Sequence, residues 1–177
     1  MRSGSSEAAR PVKDPARPSR REGEEILIVG IGNEFLRDEG LGVHVARSLL
    51  AMKDRLPAGV KVLEAGIFLM NSLGEISRYR RVILVDALRA GGKPGKVYRV
   101  EIQDGLAGSL PDIPALSLHQ WGVVESLHAA EVLGLLPARL TLLGAEPARL
   151  EPGTDLSPAL ESARERIVSL LLEEVGA

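Results

Sequence analysis

The chain contains no cysteine. That one absence removes disulfide staples, thiolate nucleophiles, iron–sulfur ligation and thiolate zinc sites together, and it fits a cytoplasmic protein. Aromatic residues are scarce, at 3 %, so the chain lacks a platform for stacking the bases of a single strand. Basic charge is not in excess either. The 22 Lys and Arg are set against 24 Asp and Glu, a formal net charge of -2, which argues against a nucleic-acid partner. No apolar run approaches the roughly 18 residues of a membrane span. What is abundant is aliphatic: hydrophobic residues make up 45 % of the 177. With so few rings, the core must be assembled from Leu, Val, Ile and Ala, as in a parallel sheet covered by helices.

Apolar content is missing locally as well. Residues 1–25 are rich in Arg, Ser, Pro, Glu and Ala and read as a disordered tail. Ser19-Arg20-Arg21 faintly suggests a twin-arginine signal, but Glu22, Glu24 and Glu25 stand where the apolar part of a leader would begin. An organelle transit peptide would be poor in acids. Residues 26–177 are expected to form a single domain.

Within that domain short apolar runs alternate with helical periods. ILIVGIG from Ile26 reads as a buried strand. Leu41, Val45, Leu49 and Met52 then recur on one stripe of an amphipathic helix. VKVLEAG from Val60 is a second strand, and Asn71 is expected to cap a short helix through Arg78. RVILVDAL from Arg81 is a third, central strand. Only nine residues, Ala87 to Gly95, separate Asp86 from Lys96, too few for a parallel crossover. KVYRVEI is therefore expected to run antiparallel at an edge, with Tyr98, Val100 and Ile102 on one face and Val97, Arg99 and Glu101 on the other. Gln103 to Ser117 reads as loop, Val123 to about Leu135 as helix, and RLTLLGAEP from Arg139 as the last strand. Ser157-Pro158 opens a closing helix that buries Leu160, Ala163, Ile167, Leu170 and Leu171. The order βαβαββαβα implies a three-layer α/β/α fold: a mostly parallel, twisted five-stranded sheet with one antiparallel edge strand and helices on both faces.

The stretch ILIVGIGNEFLRDEGLG, Ile26 to Gly42, carries the first functional signal. Gly30 and Gly32 form half of a dinucleotide fingerprint, but its third glycine position holds Phe35, which would crowd a pyrophosphate. Asp38 and Glu39 occupy the helix start that a phosphate would need free and positive. No Gly-Lys-Ser/Thr follows, so a P-loop is excluded and no nucleotide cofactor is expected. Acidic residues in a first helical turn are favourable by about 0.3–1 kcal/mol, which accounts for one acid. It does not account for Asn33, Asp38 and Glu39 gathered at the carboxyl end of a buried strand, the edge where open α/β sheets bind ligands.

Asp86, ending the most apolar strand, would reach the same edge, as would His119 in SLHQWG. A carboxylate there is costly unless it has partners. Glu39, Asp86 and His119 together make a hard-to-borderline ligand set suited to Zn, Ni, Mn or Fe(II) with positions left open. Singly, Asp86 and His119 could equally cap a turn or a helix. Ser117 and His119, two apart, would point to opposite sides of an extended segment, against a serine–histidine couple. His44 is expected at the surface, His128 half-buried in a helix, and Glu146 as a wall of the rim.

These motifs in this order resemble the hydrogenase maturation endopeptidases, which trim the large subunit of nickel–iron hydrogenases. The resemblance runs from Ile26 to Val175 and rests on GIGNEFLRDEGLGVHV, VILVDAL, SLHQWGVVESL and LTLLGAEP with LEPGTDLSPAL. It implies that Glu39, Asp86 and His119 are the metal-contacting residues. It implies further that the nickel is supplied by the substrate, the hydrogenase large-subunit precursor, and that a short C-terminal extension is cut off. Which group activates the water is left open. One departure stands out: where many members carry D-G-G-T, this chain reads Glu64-Ala65-Gly66-Ile67. Glu64 and Gly66, with Asn33 and Asp38 at the same rim, are candidates for substrate recognition. The departure keeps a second reading open, a non-cleaving nickel-sensing chaperone or binding module of hydrogenase assembly.

Overall fold

The computed structural model describes residues 25–102 and 121–177. The expected tail before Glu25, the loop from Gln103 to Ser117 and His119 lie outside the described residues. The elements are β1 (Ile26–Ile31), α1 (Leu41–Ala51), β2 (Val60–Gly66), α2 (Leu73–Ile76), β3 (Arg81–Ala87), β4 (Val97–Ile102), α3 (Trp121–Val132), β5 (Arg139–Ala145) and α4 (Pro158–Val175).

The strands form one sheet in the order β2–β1–β3–β5–β4. β1 pairs in parallel with both β2 and β3, β3 pairs in parallel with β5, and β4 alone is antiparallel, along β5. The short connection after β3 forces that reversal, as its length required. β1 is buried at every position and β3 at all but Arg81. Their alternate residues feed opposite faces of the sheet. Ile26, Ile28, Ile83 and Val85 join α1 and α4 in one core layer. Leu27, Val29, Val82 and Leu84 join α2 and α3 in the other.

The strand order has a functional consequence. From β1 the chain moves outward to β2, then crosses back to place β3 on the other side of β1. The connections leaving β1 and β3 therefore diverge, opening a crevice at the carboxyl ends of these two strands, the topological switch point. α1 is drawn tightly onto that crevice. A side chain on Gly42 would put its Cβ 2.1 Å from the Val85 carbonyl oxygen and 2.3 Å from that of Ile31, so only glycine lets the first turn of α1 lie on the strand ends. Gly42 and Gly30, rather than the position of Phe35, carry the close helix–strand approach; Phe35 points outward and is 67 % exposed.

Three local expectations change. Asn71 sits within a 3-10 turn, Leu69–Ser72, and α2 begins only at Leu73 without a side-chain cap; the burial of Leu69 starts the turn earlier than the polar residues suggest. α3 ends at Val132, which is solvent-exposed, rather than at Leu135. Leu170 is exposed, because the buried stripe of α4 runs through Leu160, Ala163, Ile167 and Leu171, and a neighbour at 100° falls off its flank.

Candidate functional site at the switch point

The loop after β1 folds back on itself before it reaches α1. Asn33 Oδ1 accepts a hydrogen bond from the Phe35 N–H at 3.0 Å, and the Leu36 N–H donates to the Asn33 carbonyl at 3.1 Å. Asn33 is thus committed to an Asx turn, the local use this residue type favours. A 3-10 turn, Arg37–Gly40, follows.

Asp38 is the centre of this loop. Its side chain is fully buried. Oδ2 accepts from the N–H groups of Ala148 and Arg149, both at 2.8 Å, and from the Ser157 hydroxyl at 2.9 Å. Oδ1 accepts from the Ser157 N–H at 2.7 Å. Ser157 also caps α4, its Oγ accepting from the Leu160 N–H. Backbone bonds continue the clasp: Arg37 N–H to Gly153 O at 2.8 Å, Gly153 N–H to Phe35 O at 3.0 Å, and Asp38 N–H to Arg149 O at 3.2 Å. Arg37 Nε lies 3.2 Å from Glu151. Asp38 was expected to meet the substrate; with no exposed surface and both oxygens engaged internally, it instead pins the DEG turn to the EPGTDLS segment. Ser157 was read only as a helix cap; the acid its hydroxyl serves lies 119 residues away in sequence and leaves no local signal.

The clasp presents the next residue, Glu39, to the crevice. A Cβ on Gly32 would fall 1.9 Å from the Glu39 carbonyl oxygen and 3.6 Å from Asp86 Oδ1. Gly32, at φ 133°, is therefore the point on which the Glu39 backbone and the Asp86 carboxylate converge, and no side chain fits between them. Asp86 is 2 % exposed. Its Oδ1 accepts from the Ala87 N–H at 2.8 Å. Burial pushes the Asp86 carboxyl well above the ordinary carboxylate range; the Ala87 bond opposes this, and the nearby charge of Glu39 adds to it. Two of the three expected metal-contacting residues are thus brought together at the switch point. The third, His119, lies outside the described residues, among which no group of three or more His, Cys, Asp or Glu is placed to hold a metal ion.

The recognition candidates on β2 form the flank. Arg47, from α1, donates to Glu64 at 2.8 and 3.0 Å and to Glu34 at 2.6 and 3.1 Å. This double fork ties the β1 loop to the end of β2. Arg47 was missed in the sequence because its helix position reads as ordinary surface. Gly66 has φ 56° and accepts from the Gly32 N–H at 3.0 Å. Glu146 turns away from the crevice: its Oε2 accepts from the N–H groups of Ala90 and Gly92 and from the Tyr98 hydroxyl, bracing the turn before β4. His44 Nε2 contacts the Thr154 carbonyl at 3.1 Å and is partly buried. His128 is exposed rather than half-buried, 3.9 Å from Glu131 on the same helix.

The fold is a doubly wound α/β domain with the Glu39 backbone and the Asp86 carboxylate meeting at its switch point, and comparison with known proteins makes the class specific. A family model described as HycI, hydrogenase maturation protease, matches residues 43–174. The chain is 32 % identical over 158 residues to the hydrogenase 2 maturation protease of Escherichia coli, covering 84 % of this chain and 91 % of that one. It is 31 % identical over 155 residues to the hydrogenase expression/formation protein HupD of Rhodobacter capsulatus, covering 87 % and 72 %. The solved structure of the hydrogenase maturating endopeptidase HybD from E. coli superposes with a TM-score of 0.70 at 29 % identity, over 85 % of this chain and 91 % of that one. A hydrogenase 2 maturation peptidase from a Thaumarchaeota archaeon gives 0.66 at 30 %, over 86 % and 98 %. The chain belongs to the hydrogenase maturation protease family, and its chemistry is that of a peptide-bond hydrolase.

Two outcomes are expected from this geometry. Asp38→Ala takes the acceptor from the buried N–H and hydroxyl of Ser157 and from the more exposed N–H groups of Ala148 and Arg149, and should cost about 2–4 kcal/mol in urea denaturation; a loss under about 1 kcal/mol would show that the clasp is not a structural anchor. Asp86→Asn removes a carboxyl that the folded chain resists ionising. Well below the ordinary carboxylate value Asp86 is protonated in both states and costs nothing. As the pH rises through that value the unfolded chain gains by ionising and the folded chain loses relative stability, until its own Asp86 ionises. The Asn variant should therefore melt higher than wild type near pH 7, with the gap closing toward about pH 3. A gap constant with pH would contradict the assignment.

Proposed function

We propose that this protein cuts a C-terminal extension from the precursor of a nickel–iron hydrogenase large subunit once nickel has been inserted, and that the substrate-borne nickel is what it recognises. The observation that carries this reading is the convergence of Glu39 and Asp86 on Gly32 in a chain of the maturation protease family. His119, at the position the resemblance gives to the third metal contact, completes the set.

The chemistry of the residues supports the reading. Nickel accepts carboxylate and imidazole, and a site with so few protein ligands holds free metal weakly. A nickel already ligated by the precursor brings its remaining ligands with it, so the joint complex is tight only when nickel is present. The buried Asp86 fits such a role. Burial disfavours its charge, and a dication beside it would offset that cost and displace the proton. Glu39 and Asp86 then orient the precursor so that its scissile bond lies over the crevice. Hydrolysis adds a water oxygen to the carbonyl carbon, breaks the C–N bond and passes a proton to the leaving amine. A metal held beside Glu39 and Asp86 would supply Lewis acidity toward an oxygen bound to it.

Intact-mass measurement of the precursor tests the proposal. Nickel-loaded precursor mixed with this protein should lose a short C-terminal peptide, and nickel-free precursor should not. Glu39→Gln, Asp86→Asn and His119→Gln should each reduce cleavage by at least about a hundredfold, the scale expected when a group acting in the transition state is lost. Cleavage of both precursor forms at one rate would remove the nickel check. Binding of the loaded precursor without any mass loss would favour the non-cleaving assembly factor instead.

A further inference from the structure

The chain has two phenylalanines, and neither is in the core: Phe35 is 67 % exposed and Phe68 62 %. Both follow the carboxyl ends of neighbouring strands, Phe35 after β1 and Phe68 after β2. Ile67 and Met70, exposed at 53 % and 47 %, stand beside Phe68 in sequence. Half of the eight large hydrophobic side chains exposed among the described residues thus sit on two adjoining segments. Scattered exposed apolar residues are ordinary on a protein surface, but a cluster of this kind marks an interaction site.

The backbone joins these segments and holds them. The Gly32 N–H donates to the Gly66 carbonyl, so the loop that carries Phe35 and the turn that carries Ile67 leave the sheet side by side. Arg47 bridges Glu34, next to Phe35, to Glu64, two residues before Gly66. Phe35 is pinned through both its N–H and its carbonyl. Phe68 donates to Ala65 and accepts from Asn71, while Leu69 between Phe68 and Met70 is buried as an anchor. A backbone held in this way loses little further entropy on binding, and the charges along the edge are already paired within the protein, leaving apolar side chains with a polar margin.

We propose that Phe35, Ile67, Phe68 and Met70 form a docking platform for apolar side chains of the precursor in the extended segment that flanks the bond to be cut. This rests on the cleavage reading above. The occupant follows from position: the segments that carry these residues are joined at Gly32 and Gly66, and Gly32 is where the Glu39 backbone and Asp86 converge, so the platform lies beside the crevice on the side of β2.

The test is a double variant, Phe35→Ser with Phe68→Ser, in the full-length protein, assayed against purified nickel-loaded precursor. Both side chains are exposed, so the melting temperature should be unchanged. KM should rise about tenfold or more with kcat within about twofold, as expected when binding anchors remote from the reacting atoms are removed. In a Glu39→Gln background that does not cut, precursor binding should weaken by the same factor. An unchanged KM would overturn the platform. So would a wild-type chain that sediments as a dimer, a variant that sediments as a monomer, and equal cleavage by both, because the surface would then belong to a second copy. Precursor that binds the wild type through these rings but is never cut would overturn the cleavage reading and leave the platform standing. Absence of both binding and cutting would overturn both.

Discussion

The carboxylate of Asp38 touches no solvent, and four donors from the segment Ala148 to Ser157 converge on it. Everything at the rim is referred to this point. The DEG turn carries Arg37 at φ 46°, a conformation that non-glycine residues seldom adopt without support. Held to the N-terminal cap of α4, it becomes a fixed part of the scaffold. The adjacent Glu39 is then positioned by a buried network rather than by a free loop, which is how a first contact residue is kept within tolerance. Neighbouring acids thus do opposite work: one is spent inside the protein so that the other can face outward.

The second constraint comes from the sheet. Because β3 lies on the far side of β1 from β2, the ends of β1 and β3 adjoin and their connections part. Gly42 lets α1 settle onto those ends, and Gly32 leaves room for the Glu39 backbone and the Asp86 carboxylate to meet. Asp86 is placed where its charge is least welcome. A fold selected for stability alone would have an apolar side chain there, since β3 runs unbroken and apolar from Val82 to Val85. The strain that burial imposes on Asp86 is the physical counterpart of the proposed demand for a cation.

Much of this was legible in the sequence. Unbroken apolar runs from Ile26 and Arg81 mark central parallel strands, and the short link from Asp86 to Lys96 dictates the antiparallel edge. Glu39 and Asp86 were legible as a pair because one follows an apolar run and the other closes one, and in an α/β fold the ends of such runs share a rim. What escaped depends on distance. The partner of Asp38 is far along the chain, so its role as an anchor rather than a recognition residue could not be inferred from the Asp-Glu dipeptide. Arg47 falls on the outer side of an amphipathic stripe, and its link between Glu34 and Glu64 exists only because β1 and β2 are neighbours. Leu170 shows the limit of periodicity: on α4 it lies beside the stripe, and only the packing of α1 against that helix decides which flank is covered.

The contact proposed between Glu39, Asp86 and a nickel ion carried by the precursor can be observed at the metal itself. Nickel K-edge X-ray absorption addresses it directly, recorded on the loaded precursor alone and after mixing with the Glu39→Gln, Asp86→Asn and wild-type proteins under conditions that slow cleavage. Wild-type protein should add oxygen or nitrogen ligands to the nickel, and each variant should reduce that addition. A spectrum unchanged by wild-type protein, in a mixture that still proceeds to cleavage, would contradict it.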